Sequence, residues 1–241
     1  MTQEKKTSPP PMPVREAGTY APRPKDAATI IIWRKRGRAF EVLMGERHRA
    51  HKFMPERYVF PGGRVDASDA RIRSASEMSH ATAAQLARTT VRGRGRSIAI
   101  AAIRETFEET GLIIGGTDPL PHRPAPSGWE RFFGEGFAPA LDRLYYVARA
   151  ITPHFRPVRF DARFFMVEAK DTIGTLQDSS ELEKLEWIPI RETHGFELAN
   201  VTRRALEYAE EMLRLPQGDS PSRKVPYFRH VKGGTHERVF Q

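Results

Sequence analysis

One stretch limits what this chain can fold into more than any other: Ile98 to Ile114, IAIAAIRETFEETGLII. On a helix, Ile100, Ile103 and Phe107 share one side, an apolar stripe that is stable only when another layer covers it. Glu105, Glu108 and Glu109 fall on the opposite side, at the i, i+3 and i+4 spacing of helical neighbours. Ser97 is placed to cap the start of this helix and Gly111 to stop it. Three carboxylates held this close must raise their pKa values, splay into water or share a cation. A hard divalent ion, Mg²⁺ or Mn²⁺, resolves the conflict, because it favours oxygen ligands and keeps positions for water and phosphate oxygens. Arg104, beside Glu105 and four residues before Glu108, is placed to orient and partly neutralise the acidic face. Taken alone, the three glutamates also read as a solvated helix face.

The text around this helix alternates between strands and helices. Residues 1–26, rich in Pro, Lys and Thr, read as a flexible tail. Ile30–Trp33 and Phe40–Gly45 flank a basic turn and predict a hairpin. Tyr58-Val59-Phe60 then runs into Pro61-Gly62-Gly63, a strong turn signal. Residues 70–96 read as a helical insertion ending in Arg-Gly-Arg-Gly-Arg, and later strands are expected at 112–114, 142–150, 162–169 and 184–189. A helix is expected over 198–214, and residues 216–241 read as a basic surface arm. This interspersion predicts an α/β or α+β domain over 27–215 rather than a bundle.

Composition narrows the chemistry. The chain has no cysteine, which excludes disulfides, thiolate metal sites and cysteine nucleophiles and suits a reducing cytoplasm. Its eight histidines show no ligand spacing, which argues against zinc. No apolar run approaches the ~18 residues of a membrane span, and the charged, proline-rich start has no apolar signal segment. A net charge of +9 attracts phosphates of any kind. In the C-terminal arm, Arg223, Lys224, Arg229 and Lys232 interleave with Tyr227 and Phe228. That pattern could touch nucleic acid, but packing back on the domain or a homodimer contact is the commoner use.

The helix and the glycine turn together resemble the Nudix hydrolases. The family's box reads Gly, five residues, Glu, seven residues, Arg-Glu, an apolar residue, any residue, Glu-Glu, any residue, Gly and an apolar residue. Arg104, Glu105, Glu108, Glu109, Gly111 and Leu112 match every required identity of its second half, and Phe60-Pro61-Gly62-Gly63 matches the opening turn. Three departures stand out. Asp69 occupies the first acidic position, with Asp66 as a nearby substitute; residues 70–103 stand where the family has seven; and Thr106 takes the apolar position. The split box is similar to that of bacterial relatives of the peroxisomal CoA-diphosphatase-like branch. Phe53-Met54-Pro55, Arg149–Pro153 (RAITP) and Arg159–Phe165 (RFDARFF) extend the likeness.

The resemblance implies an α/β/α sandwich with a mixed sheet, and a metal-dependent hydrolase that cleaves the phosphoanhydride of a nucleoside diphosphate linked to another group, CoA or acyl-CoA among the candidates. It implies Glu105, Glu108, Glu109 and Asp69 as metal ligands, with Glu105 or Glu181 as general base. Arg149, Arg159 and Arg163 are expected either at substrate phosphates or in ion pairs with residues such as Asp161. Six arginines of the insertion, among them Arg92 and Arg94, could cover a phosphate-rich substrate or form a solvated surface. The rival readings are hydrolysis of ADP-ribose or dinucleotides, and a Nudix-fold regulator that binds nucleotide or RNA without cleaving it; the three box glutamates favour the enzyme, with a small-molecule partner ahead of nucleic acid.

Overall fold

In the computed structural model, which describes residues 13–16, 18–49, 56–117, 124–214, 220, 222–230 and 236–240, the Ile30–Trp33 run lies within a long strand, β1 (Lys25–Arg36). The basic turn leads to β2 (Ala39–Arg47), paired antiparallel with β1 as the hairpin pattern predicts. Short β3 (Tyr58–Val59) and β4 (Gly62–Arg64) follow on either side of the proline turn. Then come α1 (His80–Ala87), α2 (Arg94–Thr110), β5 (Gly115–Thr117), α3 (Glu130–Gly134) and β6 (Phe137–Pro139). The chain continues through β7 (Tyr145–Ile151), β8 (Phe160–Glu168), β9 (Leu182–Pro189), α4 (Asn200–Arg214), β10 (Pro226–His230) and β11 (His236–Phe240).

Among the described residues, nine strands form one mixed sheet in the order β11-β10-β7-β8-β1-β2-β3, with β4 joined to β1 and β9 to β2. The β1–β8 and β10–β7 pairings are parallel and the others antiparallel. Successive residues of a strand face opposite ways. Accordingly Ala28, Ile30 and Ile32 pack with α2 in one core, and Ile31 packs with α4 in another. Burial on both faces explains why β1 is continuously apolar instead of alternating. The α/β/α sandwich is thus present, with α2 on one face and α4 on the other.

Several local expectations change. Helix α2 begins at Arg94 after Gly93, not at a Ser97 cap. Ion pairs from Arg94 to Asp26 (2.6 Å) and from Arg96 to Glu77 (2.9 Å) hold the extra turn. The segment expected as a helical insertion contains one eight-residue helix and the first residues of α2; its remainder is the end of a 3-10 turn at Ser68–Arg71 and irregular chain. It leans on the residue that leads into β7, where Thr82 Oγ1 donates to Leu144 O, and on the C-terminal segment, where Arg223 donates to Gln85 Oε1. The expected surface arm instead supplies β10 and β11, because Val225 and Phe228 bury in the two cores. Residues 13–24, expected in the flexible tail, contain contacts with the β7–β8 connection: Arg15 N donates to Phe155 O, and Arg156 donates to Pro13 O. Residues 1–12 of that tail, and Phe53-Met54-Pro55, lie outside the described residues. No helix among the described residues is long and apolar enough to cross a membrane.

Candidate active site

Helix α2 and the glycine turn meet because two glycines let them. A side chain on Gly62 would collide with the β1 backbone at Ala28 and Thr29, and one on Gly63 with the carboxylate of Glu105. The bare turn therefore lies flat between β1 and the helix, and Gly62 N donates to Glu109 Oε2 at 2.8 Å. Gly111 ends α2 at φ 73, the left-handed conformation expected of a glycine stop. Thr106 is fully buried and donates its hydroxyl to Ala102 O. That local bond lets a polar residue stand at the family's apolar position.

The three glutamates differ in exposure, Glu109 buried, Glu105 half-buried and Glu108 exposed. Glu109 is only 3% exposed, tucked behind the turn; Glu105 and Glu108 line a cavity of about 730 Å³ with Gly62, Gly63 and Asp66. Arg104 Nη1 bridges Glu105 Oε1 at 2.9 Å and Glu108 Oε2 at 3.1 Å. Burial pushes Glu105 up to about 7, opposed by Arg104 and reinforced by Glu108 and Glu181. Burial likewise pushes Glu109 up to about 8, against the pull of Arg47 and the Gly62 N–H. Glu108 also moves up, again chiefly through burial. On Arg104, the lowering effect of burial is overridden by Asp69 and Glu105, so its charge is secure.

Asp69 does not suit the ligand role expected of it. It is fully buried, and both oxygens are engaged. Oδ1 accepts from Arg104 Nε (3.0 Å) and Trp129 Nε1 (3.1 Å), while Oδ2 accepts from Arg104 Nη2 (3.1 Å) and Asp66 N (2.8 Å). Asp69 anchors the arginine that holds the glutamates. Asp66, exposed and on the cavity wall, is the acid left facing the site.

The arginines expected at substrate are committed elsewhere. Arg149 forms a two-pronged pair with Asp161 at 2.8 Å. Arg163, 2% exposed, pairs with Asp26 and Asp161, and Arg159 donates to Thr152 O and Pro22 O. None of the three lines the cavity, nor do Arg92 and Arg94. Arg149 and Arg163 alternate along their strands with the cavity-lining Ala150, Ala162 and Phe164, so their side chains leave from the opposite face of the sheet, where Asp26 and Asp161 pair with them. Glu181 does line the cavity. Sequence reasoning missed Arg47, Arg57 and Arg156, which share that lining, and Trp129. Arg57 stands directly before the Tyr58-Val59-Phe60 strand, a usable hint; nothing in the local text marks Arg156 or Trp129.

The NUDIX domain family model matches residues 23–209. The chain belongs to the NUDIX family. A Caenorhabditis elegans protein named nudix hydrolase 7 is 30% identical over 181 residues, covering 70% of this chain and 52% of that protein. This chain thus spans about half the length of that NUDIX relative. Among solved structures, a NUDIX hydrolase from Alicyclobacillus acidocaldarius superposes with a TM-score of 0.62 at 22% identity, covering 83% of this chain and 99% of that one. That likeness establishes the NUDIX fold, in agreement with the sheet and helix layers described above.

Proposed function

We propose that this protein is a metal-dependent hydrolase that cleaves the phosphoanhydride of a nucleoside diphosphate linked to another group. The observation that carries the proposal is the single acidic cavity wall made by Glu105 and Glu108 on α2, with Glu109 behind Gly62. Among the described residues, no three carboxylate or imidazole groups form a ready-made metal cage. The donor set nevertheless fits a hard cation: carboxylate oxygens, no sulfur, and acids whose burial disfavours the charged form that a cation would stabilise. Glu105, Glu108 and Glu109 would hold Mg²⁺ or Mn²⁺, which supplies charge neutralisation at the phosphate oxygens and acidifies water.

The chain's own residues account for the remaining steps. Arg104, secured by Asp69, keeps Glu105 and Glu108 on one wall. The flat Gly62-Gly63 turn lets a diphosphate approach the helix without a side chain in the way. Water attacks one phosphorus, the bridging P–O bond breaks, and two phosphate monoesters result. Glu181, exposed on the cavity wall, takes the proton of that water, with Glu105 the alternative acceptor on the helix. CoA-type substrates are the class favoured by the resemblance of the split box.

The test is a panel of nucleoside diphosphate derivatives incubated with Mg²⁺ or Mn²⁺, products being separated by chromatography. Turnover should vanish with a chelator, return with either ion, and fall about 10²–10⁴-fold in Glu105→Gln. Undiminished hydrolysis in metal-free buffer would overturn the proposal.

A further inference from the structure

The cavity has a second wall that is chemically unlike the first. Asp66, Glu105, Glu108 and Glu181 supply acidic lining, whereas Arg57, Arg156, Phe155 and Phe160 supply basic and aromatic lining of the same cavity; Glu105 feels Glu108 and Glu181, and Arg156 feels Arg57. The first turn of α4, Asn200 to Thr202, joins this second wall. Both helical layers contribute to the lining, since Glu105 sits on the helix packed against Ala28 and Ile30, while α4 packs against Ile31 and Phe164.

Two cations in so confined a place need an explanation. Among the described residues, Arg57 has one carboxylate within ion-pair distance, Glu197 at the limiting 4.0 Å and 68% exposed, so screening leaves little attraction. Its Nε is buried with no hydrogen-bond partner among the described residues. Such an atom costs stability unless something else accepts from it. Arg156 is held in place through Nη1, which donates to Pro13 O at 2.9 Å. Its pKa is lowered, first by burial and then by the charge of Arg57, so the two guanidinium groups of this lining repel one another. An anion between them would relieve the repulsion and satisfy the buried donor. The N–H groups of the first turn of α4 have no acceptor within the helix and add positive potential to the same wall.

We propose that the Arg57–Arg156 wall is a subsite for a second anionic group of the ligand, a phosphate carried on the part of the nucleoside diphosphate derivative that is not cleaved. Only the identity of the molecule bearing that phosphate rests on the hydrolase reading above; the anion site itself does not. The aromatic rings beside the arginines suit an apolar or planar portion of the same ligand.

The test is metal-free, so it stands or falls separately from catalysis. Inorganic phosphate is titrated into the full chain in the presence of chelator and followed by calorimetry. Arg57→Gln or Arg156→Gln should weaken binding at least about tenfold, the value of one charged hydrogen bond. Glu105→Gln should not weaken it. In the wild type, NADP⁺ should bind more tightly than NAD⁺, which lacks the ribose phosphate, and Arg156→Gln should bring the pair together. Circular dichroism checks that the variants fold. Should either fail to fold, amide NMR of the wild type decides: phosphate should shift Asn200, Val201 and Thr202 and leave Gly62 and Gly63 in place. Phosphate binding that survives both arginine substitutions, equal affinity for the dinucleotide pair, or shifts confined to the glycine turn would each overturn the proposal.

Discussion

Trp129 shows how a residue far from the box in sequence can set its chemistry. Its indole N–H donates to Asp69 Oδ1, Asp69 holds Arg104, and Arg104 holds Glu105 and Glu108. Trp129→Phe keeps the ring against Phe132 and Phe133 but removes that donor. Leaving a buried carboxylate short of one hydrogen bond should cost about 1–3 kcal/mol, measured by urea unfolding. If Trp129 positions the site, turnover should also fall roughly 10–100-fold and half-maximal activity should need more metal. A purely structural tryptophan would move stability alone. Glu109 makes a second prediction. Its folded pKa of about 8 lies above the ordinary 4.5, so its stabilising contribution is complete below pH 4.5 and disappears as pH rises through 8. The metal-free protein should therefore lose stability over that window, and Glu109→Gln, neutral throughout, should flatten the profile. Thermal unfolding in chelator reads this out; a slope unchanged by the substitution, within the 2–4 °C that about 1 kcal/mol makes in a chain this size, would refute it.

At the level of elements, α2 carries both the chemistry and a large share of the core. Phe107, 5% exposed, meets Phe132 of α3 edge to face at 5.4 Å. Phe107→Ala should cost about 3–5 kcal/mol, seen as a lower urea midpoint. A cost below 1 kcal/mol would mean that the apolar and acidic faces had been misassigned. The period of the helix was legible because Ile100, Ile103 and Phe107 repeat at 3.6 residues and Gly111 closes the run. Its beginning was not legible. Ser97 has the chemistry of a cap, but Arg94 and Arg96 find Asp26 and Glu77, acids that lie 68 and 19 residues away. Local preference lost to two tertiary ion pairs.

At the scale of the molecule, the C-terminal segment changes most between sequence and structure. Its Pro, Ser, Lys and Arg content resembles a surface arm, yet β10 runs parallel to β7 and Phe228 is 1% exposed in the α4-side core. Phe228→Ala should accordingly cost about 3–5 kcal/mol, where a residue on an exposed arm would change stability by less than about 0.5 kcal/mol. Equilibrium unfolding in urea separates the two. The sequence by itself determined the features that depend on neighbours along the chain: the amphipathic period of α2, the glycine turn, the β1–β2 hairpin, and three glutamates on one face of a helix. Only the tertiary structure decided which charges would pair. Asp69 became the anchor of Arg104, Arg149 and Arg163 went to Asp26 and Asp161, and Arg57 and Arg156 came to line one cavity. A guanidinium reaches any carboxylate that the fold brings within a few ångströms, and sheet pairing across more than 130 residues fixes which one that is.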